Sequence, residues 1–182
     1  WNMGFFVLMA VFVPYALGHL GLDAAGTGLT LSAYGAGLLL GALAAPRLAG
    51  LLKTGTLLAI GPGLSVLAGF ALLAGPTPYG ALPFVAFFLI GFGPMIWQIG
   101  QTSLRQIVTP PDLLGRVGAT LQVAVFGVRP LGALLGGWIG AGWGVETAML
   151  LVPAGFALSL LAILASPLRR LGSLEEAVPV SG

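Results

Sequence analysis

Arg129 interrupts the apolar run FGVRPLGALLGG, Phe126 to Gly137. A permanent guanidinium is costly both in a soluble core and in lipid, so it needs a partner or a wet interior. Gln122, Phe126 and Arg129 stand at i, i+4 and i+7, which places them on one helical face. Gln98, Gln101 and Arg105 repeat the pattern at i, i+3 and i+7, with Trp97 beside them. Two such lines suit the walls of an aqueous path that holds a small-molecule substrate. They do not suit covalent catalysis. The chain has one histidine, His19, and no cysteine, so it offers neither a nucleophile with its base nor a metal cluster. The expectation is a protein that is not an enzyme, with no cofactor and no metal. The five acids, Asp23, Asp112, Glu146, Glu175 and Glu176, all fall outside the middles of the apolar segments. Arg129 is left with backbone carbonyls, a bound anion or an acid on another polypeptide segment as candidate partners. A proton-coupling acid would also have to come from elsewhere.

The elements that position these residues follow from composition. Hydrophobic residues make up 58% of the chain and charged residues 7%, and the mean hydropathy is +1.05. A soluble domain carries roughly 25% charged residues. A chain this poor in charge must face lipid, and it reads as an integral membrane protein. Seven Lys and Arg against five acids give no ground for nucleic-acid binding. Six apolar segments are long enough to span a bilayer: Met3–Leu20, Thr30–Leu52, Thr54–Ala74, Ala81–Leu104, Leu113–Gly140 and Val145–Leu168. None alternates in polarity as a barrel strand does. The fold class is all-α, a polytopic bundle over residues 1–170, followed by a short disordered tail over 171–182. The short connections predict antiparallel neighbours packed side by side.

The few cations set a direction. Arg47 and Lys53 lie between the second and third segments, Arg105 and Arg116 between the fourth and fifth, and Arg169 and Arg170 after the sixth. The other connections, GHLGLDAAGTG, GPTPYG and GAGWGVE, contain no Lys or Arg. The positive-inside rule makes the basic loops cytoplasmic, with both ends of the segment on that side of the cell's inner membrane. Counted from Arg116, Arg129 then lies roughly 20 Å in, past the middle of a core about 30 Å thick.

Glycine and proline punctuate the segments. Gly37 and Gly41, and Gly132, Gly136 and Gly140, follow the small-residue spacing that lets helices approach closely in lipid. Pro62, Pro94 and Pro130 sit near mid-depth, where they predict helix breaks next to a binding region. Segments one to three and four to six are organised alike, and LGALAA (Leu40–Ala45) echoes LGALLG (Leu131–Gly136). That predicts two inverted three-helix repeats.

The loop LRQIVTPPDLLGRVGA, Leu104 to Ala119, reads as a helix restart with Thr109 as N-cap, Pro110 in the first turn and Asp112 near the helix start. Together with the following GVRPLGALLGGWIG it closely resembles the drug and siderophore (enterobactin-exporter-like) efflux branch of the major facilitator superfamily. VPYALGHLGLDAAGTGLTLSAYGAGLLLGALAAPRLA is similar to the seventh and eighth helices of those exporters. The likeness extends to Arg170. It implies the C-terminal six-helix half of a twelve-helix secondary active exporter, an antiporter for small, largely apolar compounds that works by alternating access. The partner would then be an N-terminal six-helix half, supplying the other cavity wall and an acid facing Arg129. Position 1 is Trp, without an initiator Met or a basic signal region, which fits a chain whose N-terminal part is absent. The resemblance also marks Arg47, Arg105, Asp112 and Arg116 as a cytoplasmic gate. The family's G-x-x-x-D-R-x-G-R loop is only partly kept, since GALAAPRLAG retains Gly41 and Arg47 without the acid. The competing expectation is a self-contained six-helix protein, a homo-oligomeric channel or a half-size carrier built with a second copy of the chain.

Overall fold

Long runs of Leu, Ala, Val and Phe leave the backbone one way to satisfy its polar groups in lipid, the helix. The computed structural model describes residues 1–77 and 80–170, with the backbone only for Arg169 and Arg170. It contains α1 (Asn2–Gly18), α2 (Ala24–Leu51), α3 (Thr54–Leu73), α4 (Ala81–Val108), α5 (Leu114–Trp143) and α6 (Val145–Ala165), then a 3-10 turn, Pro167–Arg170. Five of these helices are long and apolar enough to cross a membrane. The sixth, α1, is 17 residues long and equally apolar in character. The expected tail, 171–182, lies outside the described residues.

Two helix starts differ from expectation. α2 begins six positions before Thr30, because the Asp23 carboxylate accepts from the Gly26 N–H at 2.7 Å and the Thr27 hydroxyl donates to the Asp23 carbonyl at 2.8 Å. Hydropathy finds the lipid-facing part of a helix, and this cap lies beyond it. Thr109 is not an N-cap. It closes α4 by donating its N–H to the Arg105 carbonyl at 3.1 Å, and α5 starts only after a turn in which Leu113 N–H reaches the Pro110 carbonyl at 3.0 Å. The proline forces extended backbone on Thr109, which suits an exit better than a cap.

The expected packing of chain neighbours holds for α3 with α4 and for α5 with α6, and fails for α1 with α2 and α2 with α3. α1 packs against α5 and α6, α4 packs against α2 and α3, and α3 packs against α6, whereas α1–α2 and α2–α3 barely touch. Glycine decides this. A methyl group at Gly37 would meet the Phe88 carbonyl oxygen, one at Gly41 the Phe92 carbonyl, and one at Gly91 the Tyr34 carbonyl. Contacts that advance together along both chains mean that α2 and α4 run parallel. α5 lies on α1 in the same manner, with Gly132 against Met3, Gly136 against Val7 and Gly140 against Val11.

The arrangement recurs. The separation between Thr54 and Val145, the first residues of α3 and α6, is also that between Gly41 and Gly132 and between Pro62 and Pro153. Gly93 of α4 rests on Gly61 and Leu64 of α3, and Gly4 of α1 rests on Val152 and Gly155 of α6, the α3 and α6 partners again standing at that separation.

The core between these helices holds Leu8, Phe12, Phe87, Ile90, Met149 and Phe156, all sealed from solvent. Its polar groups are paired: Tyr15 donates to the Leu72 carbonyl at 3.0 Å, and Ser65 accepts from the Trp1 indole at 2.8 Å while donating to the Gly61 carbonyl at 2.9 Å. At one end His19 meets Glu146 at 2.7 Å and Leu22 packs on Gly80, which gathers three connections there. Helix alternation leaves Arg47, Lys53, Arg105 and Arg116 for the opposite end. The turn from α5 to α6 is one residue, Gly144, whose φ of 91° only glycine adopts without strain.

Candidate functional site

α4 and α5 do not pack on each other. Between them, closed at one end by α1 and α2, lies a cleft of about 530 Å³, inside the range typical of small-molecule sites. α4 presents Pro94, Trp97, Gln98, Gln101, Thr102 and Arg105 along one face, and α5 presents Leu121, Gln122, Val125 and Arg129. Trp1 and Asn2 of α1 and Tyr34 and Leu38 of α2 complete the lining. The α4 wall is set by glycine, since Gly61 brings α3 against the base of the Trp97 side chain and Gly100 leaves space for Leu57.

Arg129 is half-buried at the α1 end of this cleft. Its Nε donates to Asn2 Oδ1 at 3.3 Å. The guanidinium carbon lies 4.3 Å from the centre of the Phe126 ring and 5.4 Å from that of Phe6. Such cation–π contacts are each worth about 0.5–2 kcal/mol, more as water is excluded. Among the described residues no carboxylate reaches Arg129; the one acid–base contact there is His19 with Glu146. Aromatic faces and one amide thus hold the charge, and its terminal nitrogens have no protein acceptor among the described residues.

A smaller recess of about 170 Å³ adjoins the cleft, sharing Trp1, Asn2, Pro94 and Trp97 with it and adding Pro62 and Ser159. Trp1 is a fixed side of both. Its ring stacks on Phe5 and Phe156 at centroid distances of 5.1 and 5.6 Å while its N–H is tied to Ser65.

Of the residues selected from spacing, Trp97, Gln98, Gln101, Arg105, Gln122 and Arg129 meet around one cavity. Phe126 does not line it; the ring is exposed and carries the guanidinium from beneath. Arg47, Asp112 and Arg116 are exposed and stand apart from the lining, so of the four gate residues only Arg105 reaches the cleft. The prolines do not break their helices. α3, α4 and α5 run continuously through Pro62, Pro94 and Pro130. Gly61 and Gly93 bring α3 and α4 into direct backbone contact beside Pro62 and Pro94, and that packing supports both helices through the proline. Pro62 and Pro94 line cavities, whereas Pro130 faces outward. Sequence spacing missed Trp1, Asn2, Phe6, Tyr34 and Ser159, which come from helices without a polar line. The signal for Asn2 was its type, an amide at the head of an aromatic run.

Comparison with known proteins leaves the geometry to stand alone: no family model matches the chain, and no curated protein or solved structure matches it.

Proposed function

We propose that the chain forms one six-helix half of a secondary active exporter in a cell membrane, with the α4–α5 cleft as its substrate path. The observation that carries this reading is the cleft itself: amides, aromatics and two arginines, with no acid, in a bundle of apolar helices. A merely structural arginine would be expected to close on a carboxylate, whereas Arg129 leaves donors facing a cavity large enough for a small molecule.

The duplicated packing of α1 and α4, and the shared separation of equivalent residues, support two inverted three-helix units. Leu39, Leu40 and Leu43 of α2 and Leu131, Leu134 and Trp138 of α5 are exposed, which offers apolar surface to lipid and to a second six-helix half. Alternating access would move that half over the cleft, closing it first on one side of the membrane and then on the other. With the basic loops cytoplasmic, Arg105 stands at the inner mouth and Arg129 deeper.

The test is efflux. Cells that make the intact protein should accumulate less of at least one member of a panel of fluorescent amphiphiles than cells lacking it. Arg129→Gln should restore accumulation, with efflux down about tenfold, at an unchanged amount of protein in the membrane. Efflux that persists in Arg129→Gln across the panel would remove the arginine from the path. A panel that the wild-type protein leaves untouched would remove the exporter reading. The mass of the native product, followed through a tag at the Gly182 end, decides between a twelve-helix protein and self-association of this unit.

A further inference from the structure

We infer that the corner of the bundle where α2 passes into α3 and the chain leaves α6 is a docking surface for the headgroup of an anionic phospholipid, with Arg47, Lys53, Arg169 and Arg170 as its cations. A surface of this kind serves the bundle with or without a transported substrate.

The fold gathers these residues from distant parts of the chain. Gly69 of α3 lies on Pro153 of α6, and helix alternation makes α3 and α6 antiparallel. Following α6 onward from Pro153 therefore means following α3 back from Gly69. The turn Pro167–Arg170 comes level with residues 52–55, and it packs on both helices. Arg169 thus stands level with Lys53, the residue that opens α3. Arg47 lies one turn before the end of α2, and both Arg47 and Lys53 are exposed.

Charge selects the partner's sign. α2 and α3 contain no acid, and the one acid of α6, Glu146, is at the opposite end with His19. The other basic connection differs, because Asp112 lies between Arg105 and Arg116. The start of α3 adds to the positive field, since Lys53 stands at its N-cap and no side chain caps the first-turn N–H groups. Position then selects lipid over a soluble anion. Leu43 and Leu51 of α2, Leu164 of α6 and Leu168 of the turn are exposed, so apolar surface suited to acyl chains borders the cations. Basic residues between membrane helices at this level attract acidic headgroups.

Dioleoyl phosphatidylglycerol and dioleoyl phosphatidylcholine share their chains and differ in net charge. Each is titrated into the intact protein in neutral detergent at low salt, and bound lipid is counted by native mass spectrometry. Phosphatidylglycerol should bind more tightly. Lys53→Gln should weaken it about fivefold, as for one Lys near an acidic headgroup, and leave phosphatidylcholine unchanged. Arg169→Gln with Arg170→Gln should weaken it further. Lys53→Arg should keep the preference. Arg116→Gln, which removes one charge at the other basic connection, should keep it too, each variant retaining the wild-type elution volume. Glycerol 3-phosphate, the charge without the chains, should displace the lipid only at higher concentration than the lipid itself requires. Equal binding of the two lipids, or a preference that survives joint replacement of Lys53, Arg169 and Arg170, would overturn the inference. An equal loss in Arg116→Gln would also overturn it, as diffuse attraction to a basic surface. Glycerol 3-phosphate binding as tightly as the lipid would do the same, as the mark of a soluble-anion site.

Discussion

α4 and α5 are the two walls of one cleft, yet they are held in opposite ways. α4 is clamped on two sides, to α2 by backbone contact at Gly91 and to α3 by Gly61 against Gly93 and the Leu57 side chain on Gly100. The buried residues of α5 are Gly132 and Gly136, which lie on Met3 and Val7 at the start of α1, while Arg129 one turn earlier is held by Asn2 and Phe6. Both helices are glycine-rich. What differs is what the glycines meet: carbonyl groups and side chains of neighbours for Gly91 and Gly100, open space for Gly115, Gly118 and Gly127. Glycine content therefore does not reveal packing by itself.

The sharpest way to break this contrast is to add volume on the clamped side. Gly91→Val would drive a side chain into the Tyr34 carbonyl and the Leu38 amide, and neither can move without parting α2 from α4. Overpacking of this kind costs about 3 kcal/mol. Unfolding by titration with a denaturing detergent should show that loss, and an unchanged midpoint would mean that the α2–α4 seam is not closed as described. Ser65→Ala comes next. It leaves the half-buried Trp1 indole N–H without its acceptor, at a cost of about 1 kcal/mol in the same titration. An unchanged midpoint would mean that the Trp1–Ser65 bond does not help to hold α1 on α3. Tyr15→Phe removes one buried hydrogen bond between α1 and α3 and should cost about 1 kcal/mol, without effect on ligand binding, because Tyr15 lies in the core away from the cleft.

Much of this was legible in the sequence, for identifiable reasons. Hydropathy marks six helices because lipid imposes both their length and their composition. Helical spacing gathers Gln98, Gln101 and Arg105, and Gln122 and Arg129, because residues on one face stay together wherever the helix goes. What the spacing cannot say is which faces meet. Asn2 and Phe6 reach Arg129 only because α1 lies parallel to α5, and that follows from Gly132 and Gly136 lying against Met3 and Val7. The prolines misled for a related reason. Pro62 and Pro94 have the chemistry of a break, but the close α3–α4 packing at Gly61 and Gly93 supports both helices through them. Thr109 had the chemistry of an N-cap and lost it to the proline that follows.

The smallest expected effect bears most directly on the exposed part of α5. Gly127 is exposed in the middle of α5, two residues before Arg129, with no neighbouring atom within 4 Å of an added methyl group. If that face meets only lipid, Gly127→Ala removes backbone freedom from the unfolded chain and costs nothing in the folded one, so it should stabilise by about 0.5 kcal/mol. A second six-helix half closing over α5 would reverse the sign, because the same methyl group would then press on a helix packed where the space is now open. Measured on the intact protein, a gain in midpoint therefore means that Gly127 faces lipid. A loss means that another polypeptide covers it, and the side chains nearest Gly127 in that partner become the first place to look for an acid within reach of Arg129.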